Sequence, residues 1–319
     1  MSLVSPIFLF LFLPIIIFGF YFLPKSMRPN FLLITSLFLY FFSSPSSFPI
    51  LILVCFLASL AIYSSGMAKV RYKSLLITSA LLSMLIIFKY SSFVLENINV
   101  LANIIDGHSF LKQSLVASIW LPIGISFYTF QAVSFVFDFR KFQDKLERPK
   151  VSEVFLYISF FPQLVAGPIV RFSHFYSELK RAKFRKSDFI IGMKLILIGL
   201  SKKILIADYF AGYVDTIFSL HPSELSWELA LLGPILFFFQ IYFDFSGYSD
   251  MAIGLGRMFN IRFLKNFKFP YLSLSVTEFW RRWHISLSRW FKDYLYIPLG
   301  GNRVSKTRGF INLLVVFTL

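Results

Sequence analysis

The stretch FLYISFFPQLVAGPIV, residues 155–170, is apolar enough to pass for a membrane span, yet Pro162, Gly167 and Pro168 interrupt it. A basic stretch flanks it on each side. Upstream, 139–153 carries Arg140, Lys141, Lys145, Arg148 and Lys150; downstream, 171–187 carries Arg171, Lys180, Arg181, Lys183, Arg185 and Lys186. Short loops rich in Lys and Arg stay on the cytoplasmic side. Two in succession imply that the segment between them does not cross. A helix broken at Pro and Gly leaves main-chain groups that lipid cannot satisfy, and such backbone is tolerated only inside protein or beside a wet cavity. Residues 155–170 therefore read as a re-entrant element. The alternative is a true span with an atypical outer loop.

Outward from this stretch the chain is a series of apolar runs. Ile7–Leu23 carries no charge, and Pro49–Tyr63, Leu75–Phe88, Leu115–Phe137 and Leu229–Phe243 are similar. A crossing helix needs roughly 20 residues, and about 17 suffice. With 57% hydrophobic residues, 15% charged and a mean hydropathy of +0.70, the chain reads as an all-α polytopic membrane protein. The earlier loops alternate. Basic 24–30, 64–74 and 139–153 read as inside, and 43–49 and 91–112 as outside. Residues 189–219 then cross outward, with Lys202 and Lys203 as costly passengers. Residues 220–228 lie outside, 229–253 return, and the basic segment 257–308 folds on the cytoplasmic side. Residues 31–42 are too short for an ordinary span, and their geometry stays open. Basic residues follow the first apolar run instead of preceding it, so this is a retained span and not a cleaved signal. No internal repeat or linker divides the chain, which predicts a single membrane-embedded domain, 1–319.

The net charge of +16 is accounted for by these loops and by anionic headgroups, so nucleic acid is not a predicted partner. The single cysteine, Cys55, lies in an apolar run and reads as a buried hydrophobe. The four histidines have no metal spacing, which predicts no structural zinc. GLGR at 254–257 and LGGN at 299–302 match no phosphate-binding fingerprint, and no GxSxG elbow is present.

EFWRRWHISLSRW, residues 278–290, gathers three tryptophans, three arginines and one histidine. On a wheel of 276–294, Val276, Phe279, Trp280, Trp283, Leu287, Trp290, Phe291 and Tyr294 share one side. Glu278, Arg281, Arg282, Ser288, Arg289 and Lys292 share the other. This predicts one amphipathic helix at the membrane interface, with Ser275 and Glu278 at capping-box spacing. His284 falls on the boundary between the faces. It is either an interfacial histidine with one wet nitrogen, or a base aimed into a cavity.

FDFSGYSD, residues 243–250, places Asp244, Ser246 and Asp250 at the inner end of an apolar span. Ionisable groups at membrane depth are functional candidates. The structural alternative is that Gly247 ends the span and Asp250 caps the next turn.

QLVAGPIVRF, FDFSGYSDMAIGLGRMFNI and FPYLSLSVTEFWRRWHISLSRWFKDYLYIPLGGNR resemble the bacterial branch of the membrane-bound O-acyltransferase family, on its alginate O-acetylation (AlgI-like) side. The likeness is clear over 115–319 and loose before it. The LYIPLGGNR tail favours the acetylating branch over D-alanyl-transferring relatives. The resemblance implies a helical bundle around a central funnel or tunnel, in the bacterial inner membrane. It also implies that an acyl thioester, acetyl-CoA or an acyl carrier, is used from the cytoplasm as substrate, with no tightly bound cofactor. The acceptor would be a hydroxyl serving polysaccharide or cell-wall O-acetylation. A periplasmic acetyltransferase or the polysaccharide machinery would be the partner.

His284 matches the first of two motif histidines. The second, in a later Trp-His-Gly motif usually given the general-base role, is not in these 319 residues. The chain stops in INLLVVFTL, whose nine residues rise only ~14 Å, so it is expected to be truncated at its C-terminus, with uncertain activity of its own. His284 is then the candidate base, and Asp244 orients a polar partner. Arg281 and Arg282 either meet donor phosphates or are plain surface cations. Trp280 and Trp283 wall the tunnel or anchor the interface. Ser246, Asp250 and Gln163 complete the candidate donor or tunnel lining. The rival readings are a transporter and a non-catalytic scaffold.

Overall fold

The structure is a computed structural model that describes residues 3–63, 67–106, 121–142, 148–181 and 184–318. Among these residues every regular element is a helix. They fall into two compact units.

The first unit holds Ser26–Val165 with Arg171–Ser173. Its helices are α2 (Arg28–Ser43), α3 (Phe48–Ser59), α4 (Met67–Asp106), α5 (Ile125–Phe142) and α6 (Val151–Ser159). Proline stands in the first turn of α2 and α3, where its missing N–H costs nothing. Residues 31–42, left open by the sequence, are most of α2. The loop expected at 91–112 is helical as far as Asp106, and 107–112 lie outside the described residues. Polarity had suggested that loop, but Met67–Asp106 contains neither glycine nor proline to stop a helix. Within α4, Tyr72–Ala102 is long and apolar enough to cross a membrane. Of the run expected at Leu115–Phe137, residues 115–120 lie outside the described residues and the helix begins at Ile125.

Residues 155–170 contain no helix of spanning length. α6 is nine residues long, about 14 Å, and turns follow from Phe161 to Ala166. Gln163 Nε2 donates to the Tyr157 carbonyl at 2.6 Å, which the ended helix would otherwise leave open. Phe161 N–H donates to Ser36 Oγ on α2 at 3.2 Å. Gly124, at φ +75, opens α5 against the same turn. A Cβ there would sit 2.8 Å from the Leu164 carbonyl oxygen.

The second unit gathers the N-terminal helix, residues 166–170 and the chain from His174 onward. A π-helical turn, Phe8–Phe12, leads into α1 (Leu13–Phe22). α7 (Phe172–Arg181) and α8 (Lys186–Ser201) follow. A π-helical segment, Lys202–Ala207, joins α8 to α9 (Asp208–Ser219), and α10 is Trp227–Met258. α11 (Val276–Arg282), α12 (Ile285–Phe291) and α13 (Lys306–Thr318) complete the chain. α10 is the second helix long and apolar enough to cross a membrane.

α8 and α10 run antiparallel with their backbones in contact. A Cβ on Gly254 would lie 2.6 Å from the Gly192 carbonyl oxygen, and one on Gly247 2.7 Å from that of Gly199. Each helix thus presents two glycines seven residues apart, and small residues of this kind let membrane helices approach closely. At one end of the pair, Asp188 receives Arg257 at 2.9 Å and Arg262 at 2.6 Å.

Two substitutions test this contact. Gly247→Val meets backbone that cannot yield and is expected to destabilise the protein by about 1–3 kcal/mol. Gly212→Ala, in α9 with nothing within 4 Å of its new Cβ, should stabilise it by about 0.4–1 kcal/mol. Thermal unfolding in detergent checks both, and equal midpoints for the two variants would refute the contact.

Candidate active site

The acids of FDFSGYSD are not at the end of a helix. α10 continues to Met258, so Asp244 and Ser246 lie near its middle. Gly247 does not end the helix. A helical glycine costs about 1 kcal/mol, and here its bare Cα admits the Gly199 backbone. The two lysines that looked costly in sequence meet these acids. Lys203 Nζ lies 2.8 Å from Asp244 and 2.6 Å from Asp208, and Lys202 Nζ lies 2.6 Å from Asp250. Both lysines sit in the π-helical segment. Ser246 and Ser249 are buried, and their hydroxyls have no hydrogen-bond partner among the described residues.

The single helix expected over 276–294 is two helices meeting at a corner. α11 ends at Arg282, His284 adopts the left-handed conformation (φ 40, ψ 55), and α12 starts at Ile285. The wheel is therefore valid only on each side of the break. Left-handed backbone costs roughly 1–2 kcal/mol for an L-residue, and the stretch 266–268 supplies the offset. Lys268 N–H donates to the Arg282 carbonyl at 2.9 Å, and Ile285 N–H donates to the Asn266 carbonyl at 2.9 Å. No periodicity could announce this, because both partners belong to an irregular segment. The predicted start of α11 is present. Ser275 Oγ accepts from Glu278 N–H at 3.1 Å, while the Glu278 carboxylate reaches back to Leu274 N–H at 3.0 Å.

The corner turns His284 inward. It is 7% exposed, and the Phe245 ring of α10 meets its imidazole edge-on at 4.6 Å. Phe245, next to Asp244 on α10, thus meets the histidine. Burial lowers the imidazole to about 4, so it is neutral at pH 7. Trp283 sits among aromatic rings, with Phe267 at 5.1 Å, Phe279 at 5.6 Å, Tyr271 at 6.1 Å and Tyr242 at 6.2 Å. Trp280 is 40% exposed and stacks edge-on to Phe317. The two arginines differ. Arg282 is bound to Glu278 at 2.6 Å, whereas Arg281 is exposed. Gln163 belongs to the first unit and closes α6. Sequence reasoning missed Asn266, Phe267 and Tyr242, which lie near the corner from outside the quoted motifs, and gave no role to Tyr271 inside one of them.

The family profile described as MBOAT, membrane-bound O-acyltransferase family, matches residues 37–319. The chain is similar to "Probable alginate O-acetylase AlgI" of Azotobacter vinelandii, with 36% identity over 99% of this chain and 63% of the relative. It is 36% identical to "Peptidoglycan O-acetyltransferase" of Helicobacter pylori, over 99% of this chain and 65% of the relative. "Teichoic acid D-alanyltransferase" of Bacillus subtilis is 32% identical over 55% of this chain and 45% of its own length. The chain therefore spans under two thirds of the length of the curated relatives it matches.

A neutral buried imidazole has a stability signature. The unfolded chain takes up a proton below about 6.5, and the folded one only near 4. The contribution is whole above 6.5 and is lost as pH falls toward 4. His284→Gln should remove part of the acid destabilisation in that window. Unfolding midpoints from pH 7 to 4 would show it, and identical profiles would contradict the burial of a neutral ring.

Proposed function

The chain belongs to the membrane-bound O-acyltransferase family, and from that premise we propose that it transfers an acetyl group from a cytoplasmic acyl thioester to a hydroxyl acceptor. The acceptor serves O-acetylation of an extracytoplasmic polysaccharide or cell wall. Likeness along nearly the whole chain to relatives named for alginate and peptidoglycan O-acetylation supports this over D-alanyl transfer, whose relative aligns with only 55% of the chain. The observation that carries the reading is His284: buried, held neutral by that burial and met edge-on by the Phe245 ring.

In the proposed step the acceptor oxygen attacks the thioester carbonyl while His284 takes the hydroxyl proton. The C–S bond breaks, and the departing thiolate receives that proton. An imidazole held near 4 is a weak base, so its gain belongs at the low end of the usual 10²–10⁴-fold. Arg281, exposed one turn from the histidine, is the better of the two arginines for phosphates of coenzyme A or phosphopantetheine. Arg282 holds Glu278, and Trp280 and Trp283 wall the site. Asp244 orients Lys203, and Asp250 orients Lys202. Ser246 offers a buried hydroxyl, and Gln163 closes α6 within the first unit. Residues 1–319 act as one membrane-embedded domain, crossing the bacterial inner membrane several times through long helices such as Tyr72–Ala102 and Trp227–Met258. A periplasmic acetyltransferase or the polysaccharide machinery takes the product onward.

The test is reconstitution in vesicles with a radiolabelled acetyl donor and an excess of polysaccharide acceptor. Transfer should fall about 10²-fold in His284→Ala and persist in Asp244→Asn. Label that enters vesicles without being transferred, or transfer untouched in His284→Ala, would refute the reading.

A further inference from the structure

Asn266 lies in the irregular stretch between α10 and α11, in no motif singled out for chemistry, and is 1% exposed. Three hydrogen bonds that define the His284 corner end on it. Its carbonyl accepts Ile285 N–H at 2.9 Å. Its Oδ1 accepts Ser286 N–H at 3.1 Å and Ser286 Oγ–H at 2.9 Å. Ile285 and Ser286 open α12, and the first N–H groups of a helix have no partner within it. The usual remedy is the side chain of the cap residue. Here the cap residue is His284, and its side chain makes no capping bond. Asn266 meets that need from a different segment of chain.

The neighbours of Asn266 brace the other side of the corner. Phe267 packs edge-on to Trp283 and to Phe245, each at 5.1 Å, and Phe245 in turn meets His284. Lys268 N–H holds the Arg282 carbonyl. The orientation of the carboxamide is fixed by chemistry. Only its oxygen can accept from Ser286 N–H, so Nδ2 points elsewhere. That Nδ2 is buried and has no hydrogen-bond partner among the described residues. Asn266 is thus set by its acceptors and keeps one donor unspent beside the proposed site.

We propose that Asn266 is the positioning residue of His284: by capping α12 in the histidine's place, it holds residue 284 in its left-handed turn and directs the imidazole into the aromatic cluster. The proposal rests on the reading of His284 as the acyl-transfer histidine. An alanine at 266 keeps the main-chain bond to Ile285 but releases both bonds from Ser286. An aspartate keeps all three acceptors and loses the Nδ2 donor. The charged groups near the corner on the surrounding elements include Asp244 and Asp250 of α10 with their partners Lys203 and Lys202, and Lys265, Lys268, Glu278, Arg281, Arg282 and Arg289. They are the same in wild type and alanine variant, so a change in the imidazole between these two reports its placement.

The experiment is nitrogen-15 NMR of histidine-labelled protein in detergent micelles, with His284→Gln assigning the resonance, alongside the acetyl-transfer assay. In Asn266→Ala the His284 titration should move up from about 4 by at least one pH unit, toward the ~6.5 of a solvated ring. Transfer should fall at least tenfold, and this loss should vanish when His284 is already alanine. Asn266→Asp should keep the Ser286 amide as protected from exchange as in wild type. Ser286→Ala, which removes one bond, should move the titration in the same direction by less. A His284 titration in Asn266→Ala that matches wild type overturns the proposal, even if the variant melts earlier. Should Asn266→Ala not fold, an unprotected Ser286 amide in Asn266→Asp, or an unmoved titration in Ser286→Ala, overturns it. If His284→Ala still transfers acetyl, the functional reading fails by itself, and the titrations still decide whether Asn266 places the ring.

Discussion

A main-chain N–H or C=O that is hidden from water must find its partner inside the protein. Two of the places where the described residues depart from regular helix are arranged around that demand. At the end of α6 the Tyr157 carbonyl is met by Gln163, and the turn beyond it is tied to Ser36. At the start of α12 the leading N–H groups are met by Asn266. In each case the partner is an amide side chain or backbone from an irregular segment. These are the segments that a reading of periodicity passes over.

The same demand explains why charges sit where they do. Lys202, Lys203, Asp244 and Asp250 would each be expensive alone along two long helices. Together they neutralise one another across the α8–α10 seam. The seam is narrow because glycines at 192, 199, 247 and 254 remove the side chains that would separate the backbones. Close backbones bring the π-helical segment at 202–207 within reach of the acids on α10. A larger residue at Gly199 or Gly247 would therefore disturb ion pairs as well as packing.

Much of this was legible in the sequence. Helix content, the interruption at 155–170, the cap formed by Ser275 and Glu278 and the family itself follow from apolar runs, proline and glycine, and the long motif around His284. Loop boundaries were less legible. Polarity suggested an outer loop after Phe88, but polar residues such as Glu96 do not end a helix that lacks glycine and proline. The corner at His284 was not legible at all. Apart from Ile285, the residues from 276 to 294 fit a helical wheel tolerably, and the break is imposed by hydrogen bonds from 266–268, residues distant along the chain. The alternative that Gly247 ends the span fails for a related reason. Gly247 resembles a helix end until the partner glycine of α8 is known.

The break matters chemically. In an unbroken helix, His284 would stand at the edge of a wet face, with an ordinary titration and many rotamers. Turned through a left-handed residue, it leaves that face and meets Phe245. Burial then fixes its charge state, neutral at pH 7, and the surrounding rings restrict its motion. Basicity is lost in exchange for placement. For a proton transfer between groups already held in contact, placement carries much of the rate, since correct orientation can supply several kcal/mol that a stronger but mobile base cannot. The weak basicity of a dry imidazole is also reversible. In the proposed step, an anionic thiolate brought beside it would favour its charged form again.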